Sequence, residues 1–330
     1  MKDLPFISII IASFNGRYYL DGCLSSIGNL DYPKEKMEVI LIDDGSQDKT
    51  YEFIKENFSN IKIIRNRRNR GVAEARNIGI KNAKGKLLAF IDNDVKVEKN
   101  WLFELVKAIE EDKRIGICAS KILFKDRPDI LNSTGGIMNI YADAWDRGVF
   151  QKDTGQYDSK KRVFFGCSAA MLIRKDVLER IGDFDPVLYI YEDVDLGWRV
   201  NLAGYRIIYV PGSIAYHKFG GTIRRDNLKG KYLLERNRLR IMLKNYEGRT
   251  LLKNIIGLLK FKIARFNRHI DANGQLKLSL LACAVAAWAW NLSHILDTLK
   301  RRREIQYIKT ITDKEIFELM GNYKYESLNL

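Results

Sequence analysis

Three carboxylate clusters lie at points where they could do chemistry. Asp92-Asn93-Asp94 puts two carboxylates on one short turn. Such a pair can hold a hard divalent cation against a phosphate, although Asp and Asn also favour plain turns. Asp43-Asp44-Gly45-Ser46, followed by Asp48 and Thr50, reads as a loop leading into a helix. Ser46 or Asp48 there could be a simple N-cap, or a carboxylate could accept hydrogen bonds from a base or ribose. Glu192-Asp193-Val194-Asp195 opens a helix. The helix dipole favours ionised carboxylates in a first turn, so this position suits a general base that is charged at neutral pH. Asp195 precedes Arg199 by four residues, an ion-pair spacing. That leaves Asp193, with Glu192 beside it, for proton transfer. His217 stands near Gly220 and Gly221, where backbone could approach a ligand closely. His269 and His294 read as interfacial or solvated. Arg76 and Asn77, after Asn69-x-Gly71, place a basic residue on a helix beside a sheet edge. It is either surface charge or a contact to a nucleotide or diphosphate.

The elements that position these residues alternate. Ile7 to Ala12, Glu38 to Ile42, Ile61 to Arg65 and Leu87 to Ile91 read as buried strands. Helical spacing runs over Tyr18 to Ile27, Thr50 to Asn57, Val72 to Lys81 and Trp101 to Glu111. This alternation predicts βαβ units and a mostly parallel sheet. Ligands of such sheets bind at the carboxyl ends of the strands, where Asp43-Asp44 and Asp92-Asn93-Asp94 both fall. The stretch 115–223 is less regular. It holds a strand at Ala169 to Arg174, a helix at Asp193 to Ala203 and a strand at Arg206 to Val210 that Pro211-Gly212 is expected to stop.

The ordered series Ala12-Ser13-Phe14-Asn15, Asp43-Asp44-Gly45-Ser46, Asn69-x-Gly71, Ala75-Arg76-Asn77-x-Gly79, Asp92-Asn93-Asp94, Gly182-Asp183-Phe184-Asp185, Tyr191 to Arg199 and Tyr209-Val210-Pro211 running into His217 resembles family 2 glycosyltransferases of the GT-A fold. The rhamnosyltransferase-like branch is the most similar. The resemblance covers nearly the whole chain. It implies a Rossmann-like α/β sheet flanked by helices and an inverting transfer from a nucleoside-diphosphate sugar to a hydroxyl of a lipid-linked or oligosaccharide acceptor. It implies that Ala12, Ser13, Asn15, Asp44, Arg76, Asn77, Asp92 and Asn93 surround the donor. Asp94, with Asp92 and His217, would hold Mn²⁺ or Mg²⁺, and Asp193 would be the base. Ala12 replaces the Pro or Thr of many relatives, and Asn93 fills the centre of the DxD motif.

Composition bounds the rest. The 330 residues are 46% hydrophobic, ample for a core and against whole-chain disorder. Cys23, Cys118, Cys167 and Cys283 are scattered without a CxxC, which argues against a disulfide scaffold or cysteine zinc site and fits a reducing compartment. No signal peptide is read at the start. The net charge of +15 is uneven: from Arg224 onward 22 Lys and Arg face 10 Asp and Glu. This predicts a GT-A catalytic domain over 1–223, with a nucleotide-sugar half at 1–115 and an acceptor half at 116–223. A helical region over 224–330 would dock on an anionic membrane surface at the cytoplasmic face. Leu278 to Leu296, with Trp288 and Trp290, reads first as an interfacial helix, then as a soluble helical cap or a span. No nucleic-acid module is recognisable. Two further classes stay open. A sugar nucleotidyltransferase would need a Gly-rich basic loop, where residues 12–20 offer only Gly16 and Arg17. A non-catalytic nucleotide-sugar or nucleic-acid binder would bind without turnover.

Overall fold

The structure, a computed structural model, describes residues 4–159, 161–218, 227–266 and 278–320. The run Thr222 to Arg225, Gly220, Gly221 and His269 lie outside them. The chain divides into two compact units, residues 1–137 with 145–221, and residues 138–144 with 222–330.

In the first unit the elements run β1 (Ile7–Ser13), α1 (Arg17–Gly28), β2 (Met37–Asp43), α2 (Thr50–Asn57), β3 (Lys62–Arg65), α3 (Val72–Asn82), β4 (Leu87–Asp92), β5 (Val95–Val97) and α4 (Trp101–Ile109). They continue with β6 (Ile115–Phe124), β7 (Arg127–Ser133), the short pair β8 (Gly136–Met138) and β9 (Ala144–Asp146), β10 (Ala170–Arg174), α5 (Lys175–Ile181), α6 (Glu192–Leu202) and β11 (Arg206–His217). The main sheet has the order β3-β2-β1-β4-β10-β6-β11-β5, with β7 beside β6. β1, β2, β3 and β4 are parallel, and β11 is parallel to β6. β10 runs antiparallel between β4 and β6. The order reverses at β1, which lies between β2 and β4, and that is where open α/β sheets bind ligands.

Register decides what meets there. β1 pairs with β2 so that Ser13 faces Asp43, and with β4 so that Ala12 faces Asp92. Three segments far apart in sequence therefore end side by side. Ile9, Ile11, Leu41, Ala89 and Ile91 are buried in one core under α1 and α4. On the opposite face α3 lies so close that a Cβ on Gly79 would come 2.4 Å from Ile10 Cγ2.

Two strands carry features that local sequence does not show. β6 is buried at every position although it carries Lys121. Its ammonium is matched by Asp153 at 2.9 Å and Asp158 at 3.0 Å, and that compensation is invisible to a hydrophobic-run reading. β11 does not stop at Pro211-Gly212. It passes through them as a bulge, with a register shift between Val210 and Ile214. Bulges admit the proline that a regular ladder rejects. The hydroxyl of Ser213 satisfies the break by donating to Trp101 O at 3.0 Å, near Ser120 Oγ at 3.1 Å. The strand thereby reaches His217.

In the second unit α7 (Leu228–Asn245), α8 (Gly248–Phe266), α9 (Leu278–Ser293), α10 (Ile295–Ile308) and α11 (Asp313–Met320) follow in turn. Asn227 caps α7, its Oδ1 accepting from Gly230 N at 2.7 Å. Arg240 of α7 is fully buried and bonds Asp297 and Thr298 of α10. Arg302 donates to Leu243 O and Tyr246 O at the carboxyl end of α7. Part of the run Lys300 to Arg303 is thus internal architecture. Trp290 stacks on His294 at 3.9 Å and lies under Arg236 at 4.4 Å, so both rings are occupied within the unit and neither is a free interfacial anchor. His294 interrupts the expected single helix. No described helix is long and apolar enough to cross a membrane.

The closeness of α3 to β1 sets a prediction. Gly79→Ala drives a methyl into Ile10 and Ile42, and overpacking of this kind typically costs about 1–3 kcal/mol. Urea denaturation should show a lower midpoint with an unchanged slope, and a midpoint equal to wild type would refute the close packing.

Candidate active site

The carboxyl end of β4 supplies Asp92, and the turn into β5 supplies Asp94. β5 then pairs antiparallel with the end of β11, setting His217 opposite Val95. This hairpin-like return brings His217 Nε2 to 3.4 Å from Asp94 Oδ1. One ligand atom each from Asp92, Asp94 and His217 lie within 4.8 Å of one another. Asp94 is nearly buried, while Asp92 and His217 are partly open. On its other side His217 Nδ1 lies 3.4 Å from Asn132 Oδ1 on β7, which leaves Nε2 for the acidic pair. Burial opposes a charge on His217, but the hydrogen bond to Asp94 and the charges of Asp94, Asp92 and Asp146 outweigh it and raise its pKa. The acidic field that favours a proton on His217 would also favour a cation. Two carboxylates and an imidazole at this spacing fit a divalent ion, and the mixed oxygen and nitrogen set suits Mn²⁺ at least as well as Mg²⁺.

α6 begins beside this cluster. Of its residues Glu192 to Leu202, all are buried but Asp193, which is partly open. Its Oδ1 accepts from Val194 N at 2.8 Å and its Oδ2 from Ser168 N at 3.4 Å. The residue before the helix, Tyr191, has φ 74, a strained conformation for a bulky side chain of the kind that concentrates at functional sites. The expectation that the helix dipole keeps Asp193 ionised at neutral pH is corrected here. Burial, then the charges of Glu192 and Asp146, push its pKa up to about 8 against the opposing pull of Arg76. Desolvation of a carboxylate outweighs a helix N-terminus. Asp195, as its spacing predicts, pairs with Arg199 at 3.0 Å, fully buried.

The other expected site residues divide. Ser13 and Asn93 meet, Asn93 Nδ2 donating to Ser13 Oγ at 3.0 Å. Asn15, at φ 50, takes Ser46 Oγ on its amide and accepts from Gln47 N, so it ties the end of β1 to the loop after β2. Ala12 is partly open beside Asp92. Asp44 is 3% exposed, and its two oxygens accept from Asn66, Arg70 N and Gly71 N. It holds the loop before α3. Its neighbour Asp43 keeps Oδ2 without a hydrogen bond, with Arg65 Nε 3.4 Å away. Arg76 is neither surface charge nor turned to solvent: it is 2% exposed and bonds Asp92 and Glu192. Asn77 donates to Phe184 O and accepts from Phe184 N. Glu192 is bound to Arg76, which leaves Asp193 as the accessible carboxylate of the pair.

Asp146, Ser168 and Asn132 were not legible as site residues. Asp146 acts electrostatically on Asp193, His217 and Cys167, yet it comes from the short β9 in a stretch without periodicity. Ser168 precedes β10 and reaches the site through its amide. Asn132 was visible only as part of an Asn-Ser-Thr triplet.

Comparison with known proteins agrees with this geometry. The model of "Glycosyl transferase family 2" matches residues 8–182. The glycosyltransferase AglE of Haloferax volcanii is 28% identical over 72% of this chain and 77% of its own. The poly-beta-1,6-N-acetyl-D-glucosamine synthase of Staphylococcus epidermidis is 29% identical over 66% of this chain, which spans about half (51%) of that synthase. Among solved structures, the mannosyltransferase PcManGT of Pyrobaculum calidifontis, in complex with GDP-Man and Mn²⁺, superposes with a TM-score of 0.56 at 17% identity over 93% of this chain and 86% of its own. With its sheet order, its strand-end carboxylates and a family match over more than half its length, the chain belongs to glycosyl transferase family 2 and has the GT-A fold.

Proposed function

We propose that this glycosyltransferase moves a sugar from a nucleoside-diphosphate sugar to a hydroxyl of a glycan acceptor, with inversion at the anomeric carbon. The observation that carries the reading is the Asp92, Asp94 and His217 cluster at the sheet switch point, with the accessible Asp193 at the start of α6. Asp193 takes the proton of the acceptor hydroxyl as its oxygen bonds to the anomeric carbon. The bond from that carbon to the diphosphate oxygen breaks on the opposite face. Asp94, Asp92 and His217 would hold the divalent cation, Mn²⁺ or Mg²⁺, which when bound would supply positive charge against the departing diphosphate. Ser13, Asn15 and Asn93, with Ala12, line the donor side. PcManGT, solved with GDP-Man and Mn²⁺, supports a sugar-nucleotide donor, and the matched poly-beta-1,6-N-acetyl-D-glucosamine synthase supports a glycan product. The rhamnosyltransferase-like branch rests on the motif series alone.

The acceptor we propose is lipid-linked, with the second unit resting on an anionic membrane at its cytoplasmic face. Leu281, Val285, Leu292, Leu296 and Leu299 are all exposed, from 42% to 81%. Their spacing puts Leu281, Val285 and Leu292 on one face of α9, and Leu296 and Leu299 near one face of α10. Lys300 and Arg303 are exposed beside them. Apolar side chains flanked by basic ones suit an interfacial helix, and each such cation adds about 1 kcal/mol near an anionic surface.

Thermal shift with UDP, GDP and dTDP sugars, with and without Mn²⁺, tests the donor. Ligand at about 100 times its dissociation constant should add about 2.7 kcal/mol of stability. The shift should need the metal and vanish in Asp94→Ala. No shift with any donor, together with tight binding to nucleic acid, would remove the reading, and binding with no turnover would favour a non-catalytic binder.

Asp193→Asn should lower kcat by about 10²- to 10⁴-fold while leaving the donor shift intact. An acid whose pKa rises on folding keeps a proton that the unfolded chain has lost. Asp193 therefore subtracts stability as pH climbs from its ordinary range, about 4, towards 8. Its work as a base has the opposite sense, so kcat/KM should rise with pH across neutrality. Asp146→Asn removes one of the charges that raise Asp193, and should move that limb to lower pH. A limb that does not respond would separate Asp146 from the base.

Vesicle flotation tests the membrane reading. The protein should float with anionic vesicles and not with zwitterionic ones. Leu292→Asp with Leu296→Asp should abolish flotation without changing the melting temperature, since both side chains are exposed.

A further inference from the structure

The buried guanidinium of Arg76 stands between the two halves of the site. Nη2 donates to Asp92 Oδ1 at 2.7 Å and Nη1 to Glu192 Oε1 at 2.9 Å. Nη2 also lies 3.5 Å from Ser168 O, and the group sits over the Phe184 ring at 5.6 Å. Ser168 closes the circuit, with its hydroxyl 3.5 Å from Glu192 Oε1 and its amide 3.4 Å from Asp193 Oδ2. Asn77, next on α3, grips the backbone of Phe184 in both directions, at 2.9 and 3.0 Å, and so fixes the segment that leads into α6. The partners of Arg76 come from the end of β4, the turn before β10 and the first residue of α6. A planar fork with fixed arms sets the distance between two carboxylates as no single-point cation can.

We propose that Arg76 is a positioning residue that locks the cation-holding Asp92 to the base-carrying turn Glu192-Asp193, so that cation geometry and base geometry are set together. The inference rests on the glycosyltransferase reading above. One oxygen of Asp92 is committed to Arg76, which leaves the other for the cation. Glu192 then acts through Arg76 on a cation that it does not ligate. Arg76 bonds the ligand Asp92 directly, and loss of such a partner typically costs about 10- to 100-fold in metal affinity.

The test uses the full chain with Glu192→Gln, Arg76→Lys and the double variant. Mn²⁺ alone is the probe, its free signal read by electron paramagnetic resonance. Melting temperature, kcat and both KM values are measured beside it. Glu192→Gln should weaken Mn²⁺ binding by about 10-fold and lower kcat with the acceptor KM unchanged. Arg76→Lys, able to reach one carboxylate only, should do the same, and the double variant should cost little more than either. Folded Glu192→Gln with wild-type Mn²⁺ affinity overturns the inference and leaves the glycosyltransferase reading standing. Full additivity of the two changes overturns it as well. If Arg76→Lys does not fold, Glu192→Gln decides alone. A wild-type chain that binds no Mn²⁺ overturns the cation reading, and this inference with it.

Discussion

Arg76 puts a full positive charge where water hardly reaches it, at 2% exposure. Such a charge is tolerable only with close counter-charges and filled hydrogen bonds. Asp92 and Glu192 supply both, and each is brought in by a different part of the fold. The ends of β4, α3 and α6 and the turn before β10 must therefore be correct together. The same three charged groups shape the electrostatics of the site. Glu192 helps raise Asp193, and Arg76 opposes that rise. An ion pair thus contributes to fold and chemistry through one set of atoms.

The rest of the catalytic unit serves this convergence. Parallel pairing of β1 with β2 and β4 aligns Ser13, Asp43 and Asp92 at one edge. The antiparallel return of β5 along β11 brings His217 to Asp94, and the bulge at Pro211-Gly212 lets β11 run far enough to deliver it. The second unit is organised differently. The buried Arg240 and the half-buried Arg302 hold helices together through Asp297, Thr298 and carbonyls at the end of α7. A strongly basic composition is therefore not the same as a strongly basic surface: among the described residues some of the charge is spent inside, and Lys300 and Arg303 are exposed near Leu296 and Leu299.

The sequence by itself determined the alternation of β1 to β4 with their helices, because continuous β-branched runs and helical spacing each report a local preference. It also determined the carboxylates at strand ends, since turns follow strands within a few residues. Asp195 with Arg199 was legible for the same reason, being one helical turn apart. What only the tertiary structure decided depends on distant pairing. Arg76 read as a surface or nucleotide contact, because nothing local says that Asp92 and Glu192, 16 and 116 residues away, will bury it. Asp44 read as a carboxylate facing a base or ribose, and its hydrogen bonds to Asn66, Arg70 N and Gly71 N, 22 to 27 residues further on, had no local sign. The helix-dipole argument for Asp193 considered one element, whereas its pKa is set by desolvation and by carboxylates from its neighbours. Asp146 had no signature at all. Local periodicity fixes which elements form, but burial and electrostatics at a site are sums over elements that meet only when the sheet closes.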